Sequence, residues 1–298
     1  MKRKSQALQE SLFAYKMVGP MFSVFLLMGL FPILYSFYVS FLNWRLNIAA
    51  KPKVIGFGNY VKAFSDQIFL QSLPKTGFFV LLIVTGSTVF GLLFASLLNS
   101  KYIKRKEFFL LLSLLPWAVP RVVGGLMWKW IFDGNYGILN FLLKQFGLIN
   151  SYKWWFMEST WKALAMAAIV EIWRNAPFAG LLCFTGFQNI SVSLYEAAEL
   201  DGANAAQRFF YVTLPGIKIV LMSVLILLTT WGLKTFDTIF IMTGGGPGTN
   251  TMITYMYIYQ QAFNYLNMSY GSALGYIFTV IILLMILLYY KTFNRDNT

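Results

Sequence analysis

Residues 193–215 read SLYEAAELDGANAAQRFFYVTLP, a polar but helix-forming stretch set between two long apolar runs at 162–187 and 217–242. Each run exceeds the roughly 20 residues that an α-helix needs to cross a bilayer core. Ser193 and Glu196 have capping-box spacing, which predicts a short helix beginning there. Asp201 and Gly202 supply turn chemistry to end it, since glycine takes positive φ at no steric cost. A second helical segment is expected from Asn204, stopping before Pro215. Ala197, Ala198 and Ala203 would let another surface approach closely. Read from the residues alone, the stretch is either a helical knuckle able to pass a partner's motion to the flanking spans, or an ordinary connecting loop that happens to be helical.

Moving outward, further apolar runs of spanning length occur at 17–42, 76–98, 108–131 and 272–290. The expected fold is therefore an all-α integral membrane protein with about six transmembrane helices. Composition agrees: 58 % of the 298 residues are hydrophobic and 12 % charged, against about 25 % charged in soluble domains. Segments 137–148 and 252–263 are apolar but too short to cross, and their Tyr, Trp and amide content suits helices at the interface. Trp154, Trp155, Tyr255, Tyr257 and Tyr259 fit an aromatic belt.

The chain has no His and a single cysteine, Cys183. Histidine metal sites, His-based acid/base catalysis and an internal disulfide are thereby excluded, and no paired-carboxylate or cysteine motif points to a membrane-embedded enzyme. The net charge of +13 belongs to topology and anionic lipid headgroups rather than to nucleic acid. At the start, Lys2, Arg3 and Lys4 lead through a mixed stretch to a full-length apolar run, an anchor rather than a cleaved signal. Those three residues, Lys16, the group Lys101, Lys104, Arg105 and Lys106, and Lys291 and Arg295 fall on one side of a six-span arrangement. That side is expected to be cytoplasmic, holding both termini (1–16 and 293–298) and the loop 188–216, with residues 17–292 forming the transmembrane domain.

The 193–215 stretch resembles the EAA loop of permease subunits of binding-protein-dependent ABC importers. Glu196, Ala197, Ala198, Asp201, Gly202, Ala203, Phe209, Leu214 and Pro215 occupy the pattern's positions without a gap. Leu115-Pro-Trp-Ala-Val-Pro120, Glu171-Ile-Trp-Arg-Asn-Ala-Pro-Phe178 and Thr243-Gly-Gly-Gly-Pro-Gly248 are similar to the carbohydrate-uptake branch, of maltose and glycerol-phosphate type. The likeness covers residues 17–292, the first two spans by hydropathy only. It implies that Glu196, Ala197, Ala198, Asp201, Gly202 and Ala203 form a coupling helix seated on an ATP-hydrolysing subunit. Phe210 and Tyr211 depart from the polar or basic residues frequent there.

No G-x-x-x-x-G-K-[ST] motif occurs, so the chain encodes no nucleotide engine. The resemblance implies partners: a second permease subunit, two ATP-binding subunits that hold ATP and Mg, and an extracytoplasmic solute-binding protein. The chain itself is expected to carry no cofactor. An ion- or proton-coupled transporter or channel is the alternative that the intramembrane charges leave open.

Ionisable groups at membrane depth cost about 2.5–3.5 kcal/mol each and normally face protein or a wet cavity. Arg121, Glu171, Arg174, Lys234 and Asp237 are such groups. Glu171 with Arg174, and Lys234 with Asp237, stand three apart, so each pair can neutralise itself on one helix face; the other reading is that they line the substrate path. Pro116, Pro120 and Pro177 break backbone hydrogen bonds inside spans. For a neutral sugar, aromatic faces and polar rims are required, and Trp173, Asn175, Glu171, Trp231 and Asp237 supply them. Residues 244–248 read as a tight turn beneath a docked binding protein.

Overall fold

A computed structural model describes residues 2–48, 51–100 and 102–294 of the chain. Lys101, Arg295 and the tail from 295 onward, all part of the expected cytoplasmic charge pattern, lie outside the described residues. The helices that organise the fold are α1 (Phe13–Ser40), α2 (Gln67–Asn99), α3 (Lys106–Ala118), α4 (Arg121–Ile131), α5 (Ile138–Gln145), α6 (Thr160–Gln188), α7 (Val192–Leu200), α8 (Ala205–Gly216), α9 (Lys218–Lys234), α10 (Asp237–Met242), α11 (Thr254–Tyr259) and α12 (Met268–Asn294). By length and composition α1, α2, α6 and α12 can each cross a membrane. The count rises to six if the bent pairs α3/α4 and α8/α9 are one span each. The described residues hold one small departure from all-helix, a two-residue antiparallel pairing of Leu42–Asn43 with Lys53–Val54.

The chain divides into two compact units, residues 1–66 with 258–279, and 67–257 with 280–298. In the first, the helix containing α1 begins already at Lys2, with no break at the expected boundary after Lys16. None of the most apolar stretch of α1 is buried, so its Phe, Leu and Met side chains are left for lipid or another subunit to cover. Its end is tied down by polar groups: Asn59 donates to the Ser40 and Leu42 carbonyls at 2.8 and 2.7 Å, and Tyr270 donates to Asp66 at 2.6 Å.

In the second unit α2 lies along α6. Close approach is possible because small residues meet: a Cβ on Gly91 would stand 2.9 Å from both Ala179 Cβ and the Gly180 nitrogen, and one on Gly180 2.7 Å from the Phe94 ring. Between apolar helices in lipid, where hydrophobic burial adds little, such backbone contact supplies the dispersion that holds the pair. Thr254, at the start of α11, caps this core. Its hydroxyl meets Ser72 at 3.0 Å and Thr76 at 2.9 Å, and its amide donates to Thr76 at 2.8 Å.

The break that Pro120 predicts inside the run 108–131 is present: the chain turns by 87° between α3 and α4, where Pro120 takes an extended conformation as the N-cap of α4. Two expectations need correction here. The run 217–242 breaks at Thr235 and Phe236, which leave helical geometry between α9 and α10. Segment 252–263, expected at an interface, is core in its first half. Met252, Ile253, Met256 and Tyr257 are at most 4 % exposed, so Tyr257 packs inside the protein rather than in a belt, and Tyr255 is half-buried against Phe236.

Candidate functional site

The loop after α6 is a bent pair of helices. Helix α7 starts at Val192, and its N-cap Ser191 makes no side-chain cap bond; the Ser191 hydroxyl pairs with that of Ser193 at 2.7 Å. The expected Ser193–Glu196 box is therefore not formed. A capping box closes the start of α8 instead, where Asn204 accepts from the Gln207 amide at 2.9 Å and Gln207 accepts from the Asn204 amide at 2.8 Å. The turn falls where the residues predict: Gly202 has φ +80°, and the Ala203 amide reaches the Ala198 carbonyl at 2.9 Å.

Pro215 does not stop the second helix. A wide turn over Phe209–Thr213 carries it on to Gly216, because an i→i+5 turn absorbs the missing proline donor. The chain then bends by 75° into α9, pivoting on Ile217, which is 1 % exposed. Glu196, Ala197, Asp201 and Gly202 stand exposed, with Ala198 and Ala203 half-buried. Around them Val192, Leu194, Leu200, Phe210 and Tyr211 are 54–90 % exposed. This apolar surface on a polar loop is of the kind that a protein partner covers.

The second candidate region lies among α3, α4, α6, α9 and α10. Glu171 is 1 % exposed; its carboxylate accepts from the Thr238 hydroxyl and, at 3.4 Å, from the Asn175 amide. Arg121 pairs with Asp237 at 3.8 Å and donates to the Thr235 hydroxyl at 2.9 Å. Arg174 donates to the Trp117 carbonyl at 3.3 Å, while its Nε and Nη1 are buried without a partner. The two expected intrahelical ion pairs are thus replaced. Asp237 opens α10 beyond the chain break, so it faces Arg121 at the start of α4, and Lys234 is left exposed at the end of α9. Glu171 turns to Thr238 on the same α10.

Aromatic rings line the same region. Trp117 stacks on Phe178 at 5.2 Å, Phe178 tilts against Trp231 at 5.2 Å, and Trp128 meets Trp173 edge-on at 5.7 Å. Of the residues singled out from the sequence, the fold brings Glu171 to Asn175, Arg121 to Asp237, and Trp173 and Trp231 into ring pairs; Lys234 stays apart. Thr235, Thr238, Trp117, Trp128 and Phe178 were not among the candidates. Trp117 and Phe178 lie in the stretches 115–120 and 171–178 already singled out, and Thr235 and Thr238 flank Asp237 in the sequence; Trp128 had no such signal. Fixed charges, hydroxyls and aromatic faces can position a polyhydroxy solute.

Beyond α10, Gly244, Gly245 and Gly248 all have positive φ, and Thr243 and Thr251 clasp the turn at 2.7 Å. A tight turn is what the glycines predict. It walls a cavity of about 310 Å³ shared with Phe132, Asp133, Trp154, Trp155 and Phe156.

Residues 87–295 match the family of binding-protein-dependent transport system inner membrane components. The chain is 37 % identical over 268 residues to the sulfoquinovosyl glycerol transport system permease protein SmoG of Agrobacterium fabrum, covering 90 % of this chain and 86 % of that one. It is 34 % identical over 294 residues to the trehalose/maltose transport system permease protein MalF of Thermococcus litoralis, covering 97 % and 96 %. Among solved structures, a bacterial alginate ABC transporter in complex with an alginate pentasaccharide-bound periplasmic protein matches with a TM-score of 0.82 at 20 % identity, over 98 % of this chain and 97 % of that one.

Proposed function

The chain belongs to the family of binding-protein-dependent transport system inner membrane components, and from that premise we propose that it forms half of a translocation path for a sugar or oligosaccharide, driven inward by separate ATP-hydrolysing subunits. The observation that carries the reading is the bent α7–α8 loop, which turns at Gly202 with φ +80° and runs through an exposed apolar surface into α9. Glu196, Ala197, Ala198, Asp201, Gly202 and Ala203 sit at that bend and would meet the ATPase. Closure of two ATPases on ATP would press two such loops together and turn the cavity outward.

A carbohydrate cargo is supported by two relatives whose names specify sugar transport and by the ring set Trp117, Phe178, Trp231, Trp128 and Trp173. Arg121, Arg174 and Asp237 would give the hydrogen-bonding rim, with the buried Glu171 and Asn175 behind them. Lys234, exposed at the end of α9, is the weakest path candidate. The finer assignments are part of the same proposal: a second and different permease chain, two ATP-binding subunits, a sugar-loaded binding protein over the 243–248 turn, and both termini in the cytoplasm.

The test is reconstitution of this chain with its second permease and ATPase subunits in liposomes. ATP inside and sugar-loaded binding protein outside should produce uptake that stops when either is omitted. Uptake that persists without the ATPases and collapses with a proton uncoupler would overturn the reading in favour of a secondary transporter.

A further inference from the structure

Helix α7 contains no buried residue, so hydrophobic packing does not fix its angle to the rest of the chain. Behind it lies a cavity of about 510 Å³ lined by Asn99, Tyr195, Arg208, Phe209 and Thr213, among others. A helix backed by open space transmits force only through discrete links. Among the described residues, two side-chain links cross from α7 to the segment beyond the Gly202 bend. The Tyr195 hydroxyl meets the Thr213 hydroxyl at 2.9 Å, and Glu199 Oε2 meets Arg208 Nη1 at 3.1 Å.

The two links differ in where they lead. Thr213 is 6 % exposed and sits in the wide turn directly before Leu214–Gly216 and the pivot Ile217. That pivot is wedged against α6, since a Cβ on Gly186 would stand 3.0 Å from Ile217. A push on α7 at Tyr195 therefore passes through Thr213 to the base of α9. Glu199 and Arg208 span the bend itself and set the angle between α7 and α8.

We propose that Tyr195–Thr213 and Glu199–Arg208 are positioning pairs that turn the loop into a rigid lever, so that ATPase closure moves α9 rather than folding the loop into the cavity behind it. The inference rests on the coupling role given above and adds residues outside the six at the bend. Tyr195 acts through Thr213, and Glu199 through Arg208.

The experiment uses the full reconstituted complex and reads sugar uptake and ATP hydrolysis in the same vesicles. Tyr195→Phe, which removes a single oxygen atom, and Glu199→Gln should each lower uptake per ATP by about threefold, and together by about tenfold if the links act independently. The ATPase subunits should still co-purify and hydrolyse ATP. The exchange Glu199→Arg with Arg208→Glu should restore the ratio to within about twofold of wild type, because the link survives with its ends reversed. An unchanged ratio in Tyr195→Phe and in the double variant would overturn the proposal. So would an exchange that fails to rescue, since Glu199 would then be acting on the partner directly. A wild-type complex without ATP-driven uptake would instead overturn the coupling role, whatever the variants do.

Discussion

The loop of α7 and α8 and the polar cluster around Glu171 solve opposite problems. The loop is wet: α7 buries nothing, and its shape comes from one left-handed glycine, one capping box and two side-chain links. The cluster is dry at its centre, where Glu171 and Asn175 are 1 % and 2 % exposed and partners arrive from helices far apart in sequence. A region shaped by local backbone chemistry can be altered in function without loss of stability. In a region whose central carboxylate is held in the interior by Thr238 and Asn175, a change there weakens the fold.

The sharpest way to break that contrast is Gly202→Val. At φ +80° a β-branched residue is a conformational outlier, and the left-handed well costs roughly 1–2 kcal/mol for a residue with a Cβ. Uptake per ATP should fall by at least about tenfold, given a lost mechanical turn rather than a lost contact, while the melting temperature in detergent stays close to wild type. Equal losses of coupling and stability would show that the loop is part of the core after all.

The reciprocal change is Thr238→Val, which keeps shape and removes the donor to Glu171. A buried group left unsatisfied costs about 1–3 kcal/mol, so thermal stability of the purified chain should drop measurably. Asp237→Asn probes the partly exposed Arg121 pair at 3.8 Å and should cost less, up to about 1 kcal/mol after solvent screening. A larger loss would mean that the guanidinium has no other support than Asp237, despite its bond to Thr235.

The smallest effect belongs to Glu158, just before α6. The hydrogen bond from Lys162, at 2.6 Å, holds its carboxyl below the ordinary range. A depressed carboxylate adds stability above its unfolded value and loses it as pH falls through the folded one. The protection factor of the first hydrogen-bonded amides of α6, which removes the intrinsic slowing of exchange with falling pH, should thus be flat from neutral pH downward and decline only below about pH 4. Glu158→Gln should abolish that step and leave uptake unchanged.

The two regions also differ in how far they could be read in advance. The Asp201-Gly202 bend, the start of α8 at Asn204 and the glycine turn at 244–248 follow from residues within a few positions of one another. The mistaken details near them have the same local origin: Ser193 and Glu196 had the right spacing for a cap that Ser191 displaced, and Pro215 was absorbed by the wide turn over Phe209–Thr213. In the cluster the reading by i,i+3 spacing paired Glu171 with Arg174 and Lys234 with Asp237, and neither pair forms. The break at Thr235 and Phe236 rotates Asp237 away from the α9 face that carries Lys234, and no neighbour in sequence announces it.

The sequence by itself determined that this is a helical membrane protein with a protruding bent loop and the family to which it belongs, because hydropathy, span length and turn chemistry act over one to twenty residues. The tertiary structure alone decided which ionisable groups meet, which aromatic rings stack and where the fifth run breaks. A buried charge takes the partner that fills its coordination at the least desolvation, and that partner is chosen by how α4, α6 and α10 pack rather than by its distance along the chain.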